Sequence, residues 1–261
     1  MADRFTYVPL VGLFIVLAWG LEELLARWKI RQPVVAGLAA AAAVIALSVA
    51  SRSQLAHWKD SVTFWTRATE MTLGLDRPHA HLALARVLSG QGRLDEATGH
   101  LAEAARLMPD AAEVRLQLGK ALAEQGRTAE AIDALSEALR ILPGSAAAHN
   151  DLGFLLAAEG RTSEALAHYE EATRLQPDLA EAQNNLGAML LNEKRYVEAI
   201  PRLQEAVRLR PGFELARVNL GVALARTGRL DDAAAQFRAV LDINPENEVA
   251  RRAYSELTER R

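Results

Sequence analysis

Six histidines, His57, His79, His81, His100, His149 and His168, are the side chains of this chain best suited to move protons or hold a metal. The interval from His81 to His149 equals that from His100 to His168, two periods of the 34-residue spacing described below. Like-placed histidines are therefore too far apart to share an ion. The paired acids Glu22-Glu23, Glu170-Glu171 and Asp231-Asp232 are adjacent in sequence, so on a helix they point away from one another rather than flanking a bond. No HExxH, phosphate loop or nucleophile elbow occurs. Zero cysteines remove disulfides, thiolate metal sites and thiol nucleophiles together. The expectation is a chain with no catalytic residue, no metal and no cofactor. What remains is hydrogen-bonding chemistry, carried by Gln117, Asn150, Asp151, Asn184, Asn185 and Asn219. An amide offers a donor and an acceptor at once, so a column of them can pair with extended backbone of any sequence. The plainer alternative is that these amides are solvated or cap local helices.

Such residues need a scaffold, and the composition favours helices. Alanine supplies 50 and leucine 40 of the 261 positions, with only 5% aromatic residues, which leaves little to cover a pleated sheet. The formal charge of -3 argues against nucleic acid as a partner, since no basic excess is present. Pro109, Pro143, Pro177, Pro211 and Pro245 recur every 34 residues without a slip. In phase with them run Leu84-Ala85, Leu118-Gly119, Leu152-Gly153, Leu186-Gly187 and Leu220-Gly221. Gly92, Gly126, Gly160 and Gly228 mark a turn, with Lys194 the one departure. Ala97, Ala131, Ala165, Ala199 and Ala233 then open a second helix, and Leu101, Leu135, Tyr169, Leu203 and Phe237 follow one turn later on the same face. Small residues let two antiparallel helices approach closely, larger ones fill the gaps between pairs, and proline stops each second helix.

This pattern resembles the tetratricopeptide repeat, five copies of which would occupy 78–245. The resemblance implies an all-α solenoid whose first helices line a concave groove. By the family pattern the fifth positions of those helices (Leu82, Leu116, Asn150, Asn184, Val218) and the sixth (Ala83, Gln117, Asp151, Asn185, Asn219) face the groove. It implies a site for protein or extended peptide at Gln117, Asn150, Asp151, Phe154, Asn184, Asn185 and Asn219, with Phe154 and Leu191 making it partly apolar. The basic clamp of chaperone-tail-binding members is missing, since the fifth positions contain no lysine. Residues 52–77 read as a degenerate half-repeat, and 246–261 as a closing helix whose charged side stays wet.

Two apolar runs precede the repeats. Residues 5–21 and 32–51 carry no formal charge, and the second would rise about 30 Å as a helix, the thickness of a bilayer core. They read as a transmembrane hairpin, with a cleaved signal peptide the rival for the first run. The connector holds Arg27, Lys29 and Arg31, which should stay cytoplasmic and place everything after Ser51 on the far side. The expected setting is a bacterial inner membrane, with the lipid bilayer as a partner and the repeats in the periplasm.

The opening Ala2-Asp3-Arg4-Phe5-Thr6-Tyr7 stretch, the hairpin, and Trp58-Lys59-Asp60-Ser61 before the repeats follow the order seen in transmembrane-and-tetratricopeptide O-mannosyltransferases. By this resemblance the chain corresponds to the last two spans and the repeat tail, without the catalytic part. The sequence thus predicts a membrane-anchored, non-catalytic scaffold that binds protein or peptide. The alternative is the acceptor-recruiting tail of a membrane O-glycosyltransferase.

Overall fold

The computed structural model of the chain describes residues 61–71 and 76–259. These fall almost wholly in the second of two compact units, Trp65–Arg261. After α1 (Ser61–Met71), helices come in pairs: α2 (Asp76–Gly90) with α3 (Leu94–Leu107), α4 (Ala112–Glu124) with α5 (Thr128–Ile141), and α6 (Ala146–Ala158) with α7 (Thr162–Leu175). Then come α8 (Ala180–Asn192) with α9 (Tyr196–Leu209), α10 (Glu214–Arg226) with α11 (Leu230–Ile243), and last α12 (Glu248–Thr258). Each pair packs most heavily on itself, and each second helix packs on the next first helix; one core runs from Leu116 to Ala250, and a smaller cluster of Ala104, Ala105 and Val114 lies between α3 and α4.

The helices pair where the sequence is smallest. The opening alanines Ala97, Ala131, Ala165, Ala199 and Ala233 are each 0% exposed. A Cβ added at Gly119 would stand 2.7 Å from Leu135 Cγ, and one at Gly187 2.5 Å from Leu203 Cγ. At Gly221 the nearest atoms are those of the Phe237 ring, at 2.7 Å, and at Gly153 those of the Tyr169 ring, at 3.0 Å. Glycine is required at these crossings because the large residue of the second helix lies directly over its backbone.

The turn inside each pair uses a left-handed residue. Gly92, Gly126, Gly160 and Gly228 take φ between 73° and 82°, and Lys194 takes φ 60° in the same place. A side chain there costs about 1–2 kcal/mol, so Lys194 sits where the array tolerates strain rather than rewinding into helix. Just past the turn an arginine precedes each second helix and clamps a carboxylate three residues on. Arg127 Nε and Nη2 meet Glu130 at 2.8 and 2.6 Å, and Arg93–Glu96, Arg161–Glu164, Arg195–Glu198 and Arg229–Asp232 repeat the contact. The acid also lies against the positive end of the helix. These pairs are exposed, so each adds little.

The fold class read from the sequence needs one correction. What stands is an all-α solenoid of paired helices, and no transmembrane hairpin is found among the described residues. Among the described residues no helix is long and apolar enough to cross a membrane. The longest, α2, has 15 residues and rises about 22 Å, short of the roughly 30 Å of hydrocarbon, because a turn ends every helix early. The two expected spans, 5–21 and 32–51, lie outside the described residues, as do 52–60 of the expected half-repeat. The lipid bilayer as a partner and the placement at a bacterial inner membrane with periplasmic repeats rested on those runs; nothing in the described helices supports them, and they are not carried forward.

The crossing sites can be tested by chemical denaturation. Gly187→Ala should lower stability by about 1–3 kcal/mol, because Leu203 is fully enclosed and cannot withdraw. Ala165→Leu should cost a similar amount while Ala102→Leu, on an exposed face, stays within about 0.5 kcal/mol. Lys194→Gly should raise stability by about 1 kcal/mol.

Candidate peptide-binding groove

Helices α4, α6, α8 and α10, the first members of four pairs, touch one another in succession and form one side of the stack. Their spacing lets an amide on one helix reach the next. Asn219 Nδ2 donates to Asn184 Oδ1 at 3.0 Å, and Asn184 Nδ2 to Asn185 Oδ1 at 3.2 Å. Asn185 Nδ2 donates to Asn150 Oδ1 at 3.0 Å, and Asn150 Nδ2 to Asp151 Oδ1 at 3.2 Å. The relay crosses three helices and ends on Lys120, whose Nζ lies 3.3 Å from Asp151 Oδ2. That Oδ2 is enclosed and has no hydrogen bond, so the ammonium is its counter-charge.

Direction along the relay is not arbitrary. The Asp151 carboxylate can only accept, which makes Asn150 present its Nδ2, leaves Asn150 Oδ1 for Asn185, and so on to Asn219. Asn150, Asn184 and Asn185 each use one N–H and one lone pair in the relay and keep one of each, while Asn219, at its head, uses one N–H and keeps its oxygen free of the relay. Asn150, Asn185 and Asn219 are half-buried, so their remaining valences reach the surface. Asn184 is 2% exposed, and its amide orients neighbours rather than meeting a ligand.

The other sequence-derived candidates divide. Phe154 lies about one turn beyond Asn150 and Asp151 on α6 and is 60% exposed, an apolar side chain left open beside the relay. Gln117 is not joined to it: its Nε2 donates to Glu113 Oε1 at 3.0 Å within its own helix. Leu191 is half-buried and packs against the core. Beneath the relay, Tyr169 fills the Gly153 crossing, and burial together with the Asp151 carboxylate pushes its phenol up to about 12. It therefore stays protonated at any ordinary pH.

The relay's cross-repeat step escaped the sequence reading, which treated the fifth and sixth positions as separate columns. The signal was present. Asn150 and Asn185, and Asn184 and Asn219, are each one period plus one residue apart, the offset at which a fifth position meets the next sixth. Among the described residues no group of three or more His, Asp or Glu side chains is placed to hold a metal ion.

Comparison with known proteins agrees with this architecture. Tetratricopeptide repeat models match residues 82–146, 122–190 and 190–257, more than half of the chain. Among solved structures, YrrB, described as a TPR protein with an unusual peptide-binding site, is 25% identical with a TM-score of 0.59, over 73% of this chain and 97% of that one. MamA from Desulfovibrio magneticus is 24% identical with a TM-score of 0.59, over 68% of this chain and 99% of that one, and shows the fold alone. The protein O-mannosyl-transferase Tmtc2 of Drosophila melanogaster is 30% identical over 115 residues, 44% of this chain and 12% of its own length. The chain thus spans about an eighth of that curated relative. This corrects the whole-chain resemblance to membrane O-mannosyltransferases. The stretch that matches is shorter than the repeat array, and the repeat models and solved structures describe a repeat solenoid, not the end of a membrane enzyme.

The relay makes Asn184 the structural member. Asn184→Ala should destabilise the array by about 1–3 kcal/mol in urea denaturation, since it strands the Asn219 donor and the Asn185 acceptor. Gln117→Ala, which breaks only an exposed contact within one helix, should shift it by less than about 0.5 kcal/mol.

Proposed function

The chain belongs to the tetratricopeptide repeat family, and on that premise we propose that it is a scaffold holding an extended peptide segment of a partner protein along α6, α8 and α10. It is not an enzyme: the repeat fold is that of non-catalytic protein-binding scaffolds. The observation that carries the proposal is the oriented relay. It leaves Asn150, Asn185 and Asn219 each with one N–H and at least one oxygen lone pair held in a fixed direction. An extended backbone presents alternating C=O and N–H groups and can use both, whatever its sequence. Preorganised amides lose little freedom on binding, so each contact adds more of its hydrogen-bond energy to affinity. Phe154 supplies a place for one apolar side chain of the peptide. The peptide-binding character stated for YrrB supports the same reading.

Membrane anchoring is not carried into this proposal: among the described residues no helix is long and apolar enough to cross a bilayer. A second reading, recruitment of acceptor proteins for an O-glycosyltransferase, is favoured by the likeness to Tmtc2. It differs only in the fate of the bound partner, and the catalytic part would lie outside this chain.

A binding peptide selected from a random library separates the groove from the rest of the surface. Fluorescence anisotropy with Asn150→Ala/Asn185→Ala/Asn219→Ala should show at least about a tenfold weaker Kd, from three hydrogen bonds at about 0.5–1.5 kcal/mol each. Phe154→Ala should weaken it further, and Gln117→Ala should leave it unchanged. Undiminished binding by the triple variant would remove this face from consideration.

A further inference from the structure

The fourth position of each first helix does something the periodicity alone did not reveal. Arg115, His149, Gln183, Arg217 and Arg251 each donate a side-chain N–H to the carbonyl of the proline six residues earlier, at 2.6 to 3.2 Å. In the fifth repeat Arg217 also reaches across to the second helix, where Nη1 donates to Gln236 Oε1 at 3.1 Å. In the first and third repeats the crossing is made by two histidines. His81 Nδ1 lies 2.9 Å from His100 Nδ1, and His149 Nδ1 lies 2.9 Å from His168 Nδ1. Like-placed histidines lie two repeats apart and do not meet. The structure pairs unlike ones within a repeat.

Geometry decides what these pairs share. Ring centroids are 5.1 Å apart in both. A ring nitrogen sits about 1.1 Å from its centroid, so rings meeting head-on at this nitrogen distance would have centroids about 5.1–5.2 Å apart. The two nitrogen axes are therefore nearly collinear. Imidazoles that bind one tetrahedral cation instead converge at an angle, with nitrogens about 3.3 Å apart for bonds of about 2.0 Å. The pairs hold a proton, not a metal. In the third repeat its position follows from the chemistry. The Pro143 carbonyl can only accept, so His149 carries its hydrogen on Nε2, His149 Nδ1 accepts, and His168 Nδ1 donates.

We propose that these two histidine pairs are acid-labile staples between the paired helices of the first and third repeats, closed by one shared hydrogen and parted when both imidazoles carry charge. Two imidazolium rings cannot remain at this distance, because neither then has a lone pair and their charges repel. The surrounding charges do not supply a remedy. Around the first pair Glu96 and Glu103 favour protonation, but each is already clamped, by Arg93 and Arg106, while Arg77 and Arg106 oppose it. Around the third, Glu164 favours a charged His168 and Arg161 opposes it, and Glu171, which faces His149, is held by Arg174. Burial first, and the partner ring second, hold His81 and His168 below the ordinary histidine range, and burial holds His100 there. A lowered pKa in the folded state means fewer protons bound than in the unfolded chain. The stabilisation is thus present above about pH 6.5, the unfolded value, and is lost as the pH falls below it through the lowered folded-state values.

The fifth repeat supplies the control, because its Arg217–Gln236 pair makes both contacts of the third-repeat pair, and the contact between helices of the first, with groups that do not titrate. The full chain and a variant carrying His81→Arg, His100→Gln, His149→Arg and His168→Gln should be melted at pH 7.5 and 5.0. The natural chain should lose at least about 4 °C more than the variant, at about 2–4 °C per kcal/mol for a domain of this size. Equal losses would overturn the proposal. Imidazole 15N NMR of the natural chain keeps the test open should the variant fail to fold. Each pair should take up its protons in two separated steps, the second below the ordinary histidine range. Four independent titrations near pH 6.5 would equally overturn it.

Discussion

The close approach of two helices over a glycine is the constraint from which the rest of the array follows. At Gly119, Gly153, Gly187 and Gly221 the backbone of a first helix lies directly under the large side chain of its partner, and a Cβ would stand only 2.5 to 3.0 Å from it. That contact fixes which face of each helix is buried and so the phase of every other position. With the phase fixed, Ala131, Ala165, Ala199 and Ala233 are fully enclosed, and the turn between the helices must use left-handed backbone to bring them face to face. A repeat cannot bury its apolar face alone, so the same geometry makes each pair depend on its neighbours.

The fixed phase also decides where polar groups meet. From α4 onward fourth-position side chains fall against the proline carbonyl that follows the preceding helix; in the third and fifth repeats they reach the second helix as well, and in the first His81 makes that second contact. Fifth- and sixth-position amides fall against each other between repeats. The first set ties a helix to its connector and partner. The second runs along the inner side of the stack and ends at Asp151 and Lys120. Apolar packing sets the spacing, and these hydrogen bonds make use of it.

Much of the solenoid was legible because it is periodic. Prolines, turn glycines and opening alanines recur in register, and the residues they mark are buried or turned as their types require. Lys194 shows the limit of composition: the position demands left-handed backbone whatever residue occupies it. The candidate site was read less fully. Residue types named Asn150, Asn185 and Asn219 as hydrogen-bonding groups, but they could not separate the enclosed Asn184 from its half-buried neighbours, or detach Gln117 from the column. Those distinctions depend on the rotation between successive pairs, a property of three-dimensional stacking. The histidine pairs were hidden for a related reason, since a nineteen-residue separation follows neither helical nor repeat periodicity. The membrane reading failed differently. It rested on charge-free runs outside the described residues, and nothing within the described helices carries it.

Side-chain amide NMR during titration with a bound peptide tests the central account most directly, because each asparagine Nδ2 group reports separately. The account predicts that the resonances of Asn150, Asn185 and Asn219 move with the fraction bound, while the enclosed Asn184 keeps its protection from exchange and Gln117 stays in place. Saturation of the peptide with no movement at those three amides, and shifts confined to the second helices α7, α9 and α11, would contradict it.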